Sequence, residues 1–133
     1  MSKIVILESL AVSDEKMRAL KAPFEAQGHV FEEYARSADT QTLIRQAQDA
    51  DALIIANMPL RGEVIRTCGK LKYIDVAFTG VDHVDLAAAR EMGVKVSNAS
   101  GYSNEAVAEL ALGMALSLSR NQTAVEERCR QGK

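Results

Sequence analysis

The chain is short of cysteine, of basic excess, of long apolar runs and of clustered glycine. Two cysteines occur in 133 residues, Cys68 and Cys129. They lie far apart without metal-ligand spacing, so they read as free thiols in a reducing cytoplasm. Sixteen Lys and Arg stand against 18 Asp and Glu, a net charge of −2. That balance leaves no electrostatic footprint for nucleic acid or for an anionic membrane. No signal peptide opens the chain, because MSKIVILESL has one lysine, a short apolar run and then acids. The most apolar stretch, residues 106–118, is 13 long and contains Glu109, too short to cross a bilayer.

Glycine is equally telling. The eight glycines stand singly at 28, 62, 69, 80, 93, 101, 113 and 132, so neither GxGxxG nor a P-loop can be drawn. The turn after the first strand, ESLAVS, has none. A dinucleotide bound in the usual Rossmann manner by this chain alone is therefore not expected. A receiver domain is also disfavoured: where it needs clustered acids after strand one and an aspartate ending strand three, Glu8 and Asn57 stand instead.

What remains is ordinary for one soluble domain with a real core: 47% apolar and 26% charged residues. Residues 3–7 (KIVIL) form a β-branched run that reads as a buried strand. Ser13 can cap a helix carrying Met17, Leu20 and Phe24 on one face, stopped at Gly28 and bent or shortened by Pro23. Strands follow at residues 29–34, 52–56, 73–78 and 94–97, with helices at 40–48 and 86–92. No internal repeat or low-complexity stretch accompanies them. Alternation of this kind demands a parallel sheet with right-handed crossovers. The expected fold is α/β, a doubly wound five-stranded sheet in flavodoxin-like order, with a long apolar C-terminal helix. Ligands of such sheets sit outside the carboxyl ends of the strands. That directs attention to the loops at residues 8–10, 57–60, 78–81 and 99–101.

The last helix, NEAVAELALGMALSLSR, is apolar nearly all round: 11 of the 13 residues 106–118 are apolar or glycine. A helix of that kind needs cover on several sides. Either a second copy of the chain, an additional domain or one face of the sheet would supply it.

The chemistry candidates concentrate in TGVDHVD, residues 79–85. Asp82, His83 and Asp85 are too close in sequence to converge on one ion, and no second cluster completes a shell. Sequence neighbours also make a poor acid–base pair. The simpler reading has Asp82 and Asp85 capping a helix that starts near Val84, with His83 in solvent and His29 on the surface. Thr79, Gly80 and Val81 lie between a strand end and a helix start, where successive N–H groups can capture an anion. Arg61 stands where a helix would begin, opposing its dipole, and either serves a ligand or is a solvated surface cation.

The order of motifs from GVDHVD through the strand ending in Asn98 to VAE, which opens the apolar helix, closely resembles the NAD-dependent D-2-hydroxyacid dehydrogenases. The likeness is specific over residues 71–120 and weaker before them. It implies a flavodoxin-like substrate domain at residues 1–101 and a linking, dimerising helix at 102–133. It implies that the N–H groups of Thr79 and Gly80 hold a substrate carboxylate and that the loop with Asn57 and Met58 closes over the substrate. Val107 looks like the position against the nicotinamide end of NAD(H).

The family's dinucleotide fingerprint, substrate arginine and catalytic histidine with its carboxylate would all fall beyond residue 133. The chain alone is thus expected to bind no NAD(H), to hold no catalytic residue or metal, and not to catalyse. The expected partners are a small 2-hydroxy or 2-oxo carboxylate and a second copy joined through residues 104–120. The alternative is a stand-alone dimeric regulatory or interaction module without enzymatic activity.

Overall fold

A computed structural model describes all residues 1–133. Five four-residue strands, β1 (Lys3–Ile6), β2 (Val30–Glu33), β3 (Ala52–Ile55), β4 (Tyr73–Val76) and β5 (Lys95–Asn98), form one parallel sheet in the order β2-β1-β3-β4-β5. This is the flavodoxin-like order, in which the sequence of strands across the sheet reverses between β1 and β3. Helices α1 (Asp14–Glu25), α2 (Thr40–Ala47), α3 (Gly62–Thr67) and α4 (Leu86–Glu91) make the crossovers.

Strand alternation decides which face carries the core. Val5, Leu53, Ile55, Ile74 and Val76 point to one side and join Leu43 and Ala47 of α2, Val64 and Ile65 of α3, and Ala88 and Ala89 of α4. Every one of these is buried, as β-branched and aliphatic residues on a covered sheet face should be. The opposite face holds the half-buried Ile4, Ile54 and Asp75. Its cover is lighter, since α1 packs beside β2 and has no buried residue.

The helix ends follow local chemistry. Ser13 accepts a hydrogen bond from the Lys16 N–H at 3.3 Å, and Asp39 accepts from the Thr42 N–H at 2.8 Å. Helix α1 runs through Pro23 and stops two residues later, ahead of Gly28 at φ +85°. In the last turn a proline removes only one helical hydrogen bond, so α1 is shortened and unbroken. Gly93, at φ +69°, ends α4. Helix α3 has no periodic signature in the sequence: it is six residues long and opens on a glycine.

The chain divides into two compact units, Met1–Ser100 and Gly101–Lys133. The second consists of α5 (Asn104–Ser119) and α6 (Gln122–Arg130), joined by Asn121 in a left-handed conformation. Helix α5 exposes Val107, Leu110, Leu112, Met114, Leu116 and Leu118 and has no buried residue. No helix is long and apolar enough to cross a membrane.

Candidate functional site

The carboxyl ends of β1, β3 and β4 carry the loops of interest, and two of these loops are joined. Leu60 and Val84 form an isolated parallel bridge. The Leu60 N–H donates to the His83 carbonyl at 2.8 Å, and the Asp85 N–H donates to the Leu60 carbonyl at 3.1 Å. Both bridge residues are buried. The segment holding Asn57 is therefore zipped to the segment that follows Thr79 and Gly80.

In the second loop, the Asn98 side-chain amide donates to the Thr79 carbonyl at 2.6 Å, and the Ala99 N–H donates to the Phe78 carbonyl at 3.1 Å. These contacts turn the carbonyls of residues 78 and 79 toward β5. The N–H groups of Thr79, Gly80 and Val81 find no backbone acceptor. Free donors on a half-exposed loop ahead of a helix suit an oxyanion. A Cβ at Gly80 would lie 3.4 Å from Asp82 Oδ2, so an exposed carboxylate stands beside these donors.

Asp85 caps α4, its Oδ1 accepting from the Ala88 N–H at 2.9 Å. Asp82 does not share that role. His83 is not in solvent: it is half-buried, and its Nε2 is buried without a partner. The Leu60–Val84 bridge draws the segment inward, which local sequence could not reveal. His29 is likewise half-buried, edge-on to Phe24 at 6.4 Å between ring centroids.

In the first loop, Asn57 is exposed while the Met58 side chain is 1% exposed, in the core. Met58 thus anchors the loop and faces away from any ligand outside it. Arg61 is the N-cap residue of α3 and is exposed, without a side-chain capping bond. Val107 lies on α5 in the second unit and is 60% exposed.

Glu8, just past β1, is the one buried charged residue, 4% exposed. Its Oε1 accepts from the N–H groups of Ala56 and Met58, both at 2.8 Å. Its Oε2 accepts from Arg36 Nη1 at 3.3 Å, and the same nitrogen donates to Asn57 Oδ1 at 2.8 Å. Neither Glu8 nor Arg36 stands out in the sequence as a partner of Asn57. The available signal is an acid ending an otherwise apolar strand, KIVIL-E. Elsewhere no group of three His, Cys, Asp or Glu side chains is gathered as a metal would need.

Residues 4–131 match the family described as D-isomer specific 2-hydroxyacid dehydrogenase, catalytic domain. A putative 2-hydroxyacid dehydrogenase of Haemophilus influenzae is 36% identical over 116 residues, 87% of this chain and 35% of that protein. A glycerate dehydrogenase of Methylorubrum extorquens is 30% identical over 118 residues, 89% of this chain and 36% of that protein. Among solved structures, an NAD-dependent formate dehydrogenase from Staphylococcus aureus in complex with NAD is 32% identical with a TM-score of 0.74. It covers 98% of this chain and 42% of its own. The chain spans about a third of the length of these curated relatives. The match over residues 4–131, nearly the whole chain, makes this chain a member of the D-isomer specific 2-hydroxyacid dehydrogenase family.

Proposed function

We infer that residues 1–101 are the substrate-binding domain of an NAD-dependent oxidoreductase acting on D-2-hydroxy acids and 2-oxo acids. Residues 102–133 are then the linking segment that leads to a nucleotide-binding domain and to a second copy. It holds two helices, α5 and α6, in place of the one helix expected, because Asn121 turns left-handed between them. The observation that carries this reading is the set of free N–H donors at Thr79, Gly80 and Val81, on a loop zipped to the one bearing Asn57. A substrate carboxylate would lie on the Thr79 and Gly80 N–H groups once Asp82, an exposed side chain, swings aside. Asn57 offers a neutral amide to the substrate's polar end, and Met58 holds that loop from below.

The donors available here suit binding and orientation. The side chains at Asn57, Thr79 and Gly80 include no acid or base, so this chain by itself is expected to be inactive. A nicotinamide bound alongside would supply or accept the hydride at carbon two. Within the second unit, the exposed Val107 is the apolar side chain that family likeness assigns to the nicotinamide, whereas no glycine-rich loop in this chain fits the pyrophosphate. The exposed apolar side chains of α5 support self-association through residues 104–120, because six of them in water are unfavourable. Two free cysteines support a cytoplasmic location.

The test is a titration of the ¹⁵N-labelled chain with glyoxylate and pyruvate, read at backbone amides. Saturable shifts at Thr79 and Gly80 are expected, with no NADH oxidation by the chain alone. Turnover of either 2-oxo acid would overturn the inactive reading. Absent shifts, together with a dimeric mass by light scattering, would favour the interaction module. A monomer at micromolar concentration would remove the dimer.

A further inference from the structure

We propose that Glu8 and Arg36 are positioning residues that set the shape of the 56–58 loop and aim the Asn57 amide. This rests on the reading of Asn57 as a substrate contact.

Burying a carboxylate is costly unless hydrogen bonds and a counter-charge replace water. Glu8 has both, and all its partners belong to one neighbourhood. Its Oε1 takes the N–H groups on either side of Asn57, those of Ala56 and Met58. With both neighbours turned inward and the Met58 side chain buried, Asn57 is left facing outward. Its Oε2 takes Arg36 Nη1, and that nitrogen also donates to Asn57 Oδ1. One guanidinium nitrogen, just past β2, thus joins the carboxylate after β1 to the amide after β3. The carbonyl oxygen of Asn57 is engaged by Arg36, so the amide NH₂ is the end presented to a ligand. The connection crosses the place where strand order reverses, between β1 and β3, at which ligands of this fold class bind.

A filler role and a positioning role separate under substitution. In Glu8→Gln, one oxygen still accepts the Ala56 and Met58 N–H groups, but the NH₂ now faces Arg36, donor against donor. In Arg36→Met, the same link is cut from the other side, and the buried Glu8 carboxylate loses its counter-charge, so some stability is lost with it. Only one nitrogen of Arg36 is used, so Arg36→Lys can restore the link.

The experiment measures glyoxylate affinity at the Thr79 and Gly80 amides of the ¹⁵N-labelled chain, with the Asn57 side-chain amide and the urea midpoint recorded for each variant. R36M and E8Q are each expected to weaken binding about two- to tenfold, the cost of immobilising one freed side chain on binding. The double variant should bind no more weakly than either single, and R36K should lie near wild type. The midpoint lost in R36M by leaving Glu8 without its counter-charge should recover in the double variant while the affinity does not. The proposal is overturned if R36M binds as wild type, if R36K is as weak as R36M, or if lost affinity tracks lost stability. If wild type shows no glyoxylate shift, the substrate reading fails. The ligand-free Asn57 amide then decides the positioning role: a changed shift and faster motion in R36M and E8Q uphold it, and an unchanged signal overturns it.

Discussion

Replacing Gly62 by alanine should destabilise the first unit, although alanine is the better helix former. Gly62 opens α3, and intrinsic propensity alone would favour alanine there by up to about 1 kcal/mol. Tertiary structure reverses the sign. A Cβ at this position would lie 2.4 Å from Asp85 Oδ2, 2.6 Å from Arg66 Nη1 and 3.1 Å from Ala88 Cβ. The Arg66 end is flexible and can move at small cost. Asp85 cannot move freely, because its other oxygen caps α4, and losing such a cap costs about 1 kcal/mol. Ala88 is fully buried on that helix, so α4 must shift, an overpacking strain of about 1–3 kcal/mol. The net expectation is a loss of about 1–3 kcal/mol, seen as a urea midpoint about 1 M lower. Urea unfolding followed by far-ultraviolet circular dichroism measures it. Gly69→Ala is the control, with nothing within 4 Å of the added carbon and no positive φ. It should be neutral or raise stability by up to about 1 kcal/mol through the unfolded chain. A G62A midpoint at or above wild type would refute the reasoning about the α3–α4 contact.

Three further outcomes are expected. Cys68 is 1% exposed and its thiol is pushed up to about 11 by burial, whereas Cys129 is exposed. One thiol per chain should react with a disulfide reagent at pH 8 and the second only after unfolding; two fast thiols in the folded chain would contradict this. Because the raised value favours the protonated thiol in the folded state, its contribution is intact below pH 9 and is lost as pH rises toward 11. That loss is about 2 kcal/mol, and Cys68→Ala should flatten this part of the stability–pH curve. Leu53→Ala, at a fully buried position in the central strand β3, should cost about 2–5 kcal/mol by urea unfolding, and a change under 1 kcal/mol would be inconsistent with its burial. Lys3→Met should cost less than about 1 kcal/mol although Lys3 pairs with both Glu32 and Asp49, since those partners are well exposed; a loss above 2 kcal/mol would contradict the low worth assigned to such pairs.

The sequence by itself determined the elements whose signals are local. β-Branched runs such as KIVIL and ALII, separated by capped helical patterns and stopped by Gly28 and Gly93, require a parallel α/β sheet. Backbone sterics and side-chain period act over a few residues, so they can be read directly. The Thr79–Val81 turn was legible for the same reason: a permissive stretch between a strand end and a helix start. Tertiary structure alone decided what depends on residues far apart in the chain. The bridge from Leu60 to Val84 joined two loops and drew His83 inward. Helix α3, too short and glycine-led to show periodicity, owes its place to Val64 and Ile65 packing into the core. Met58, placed by sequence in a ligand loop, turned its side chain into that core. Glu8 found its partners 48 and 50 residues away, at Ala56 and Met58. The local signature of this carboxylate is no more than an acid ending an apolar strand, because what satisfies it is set by which strands become neighbours.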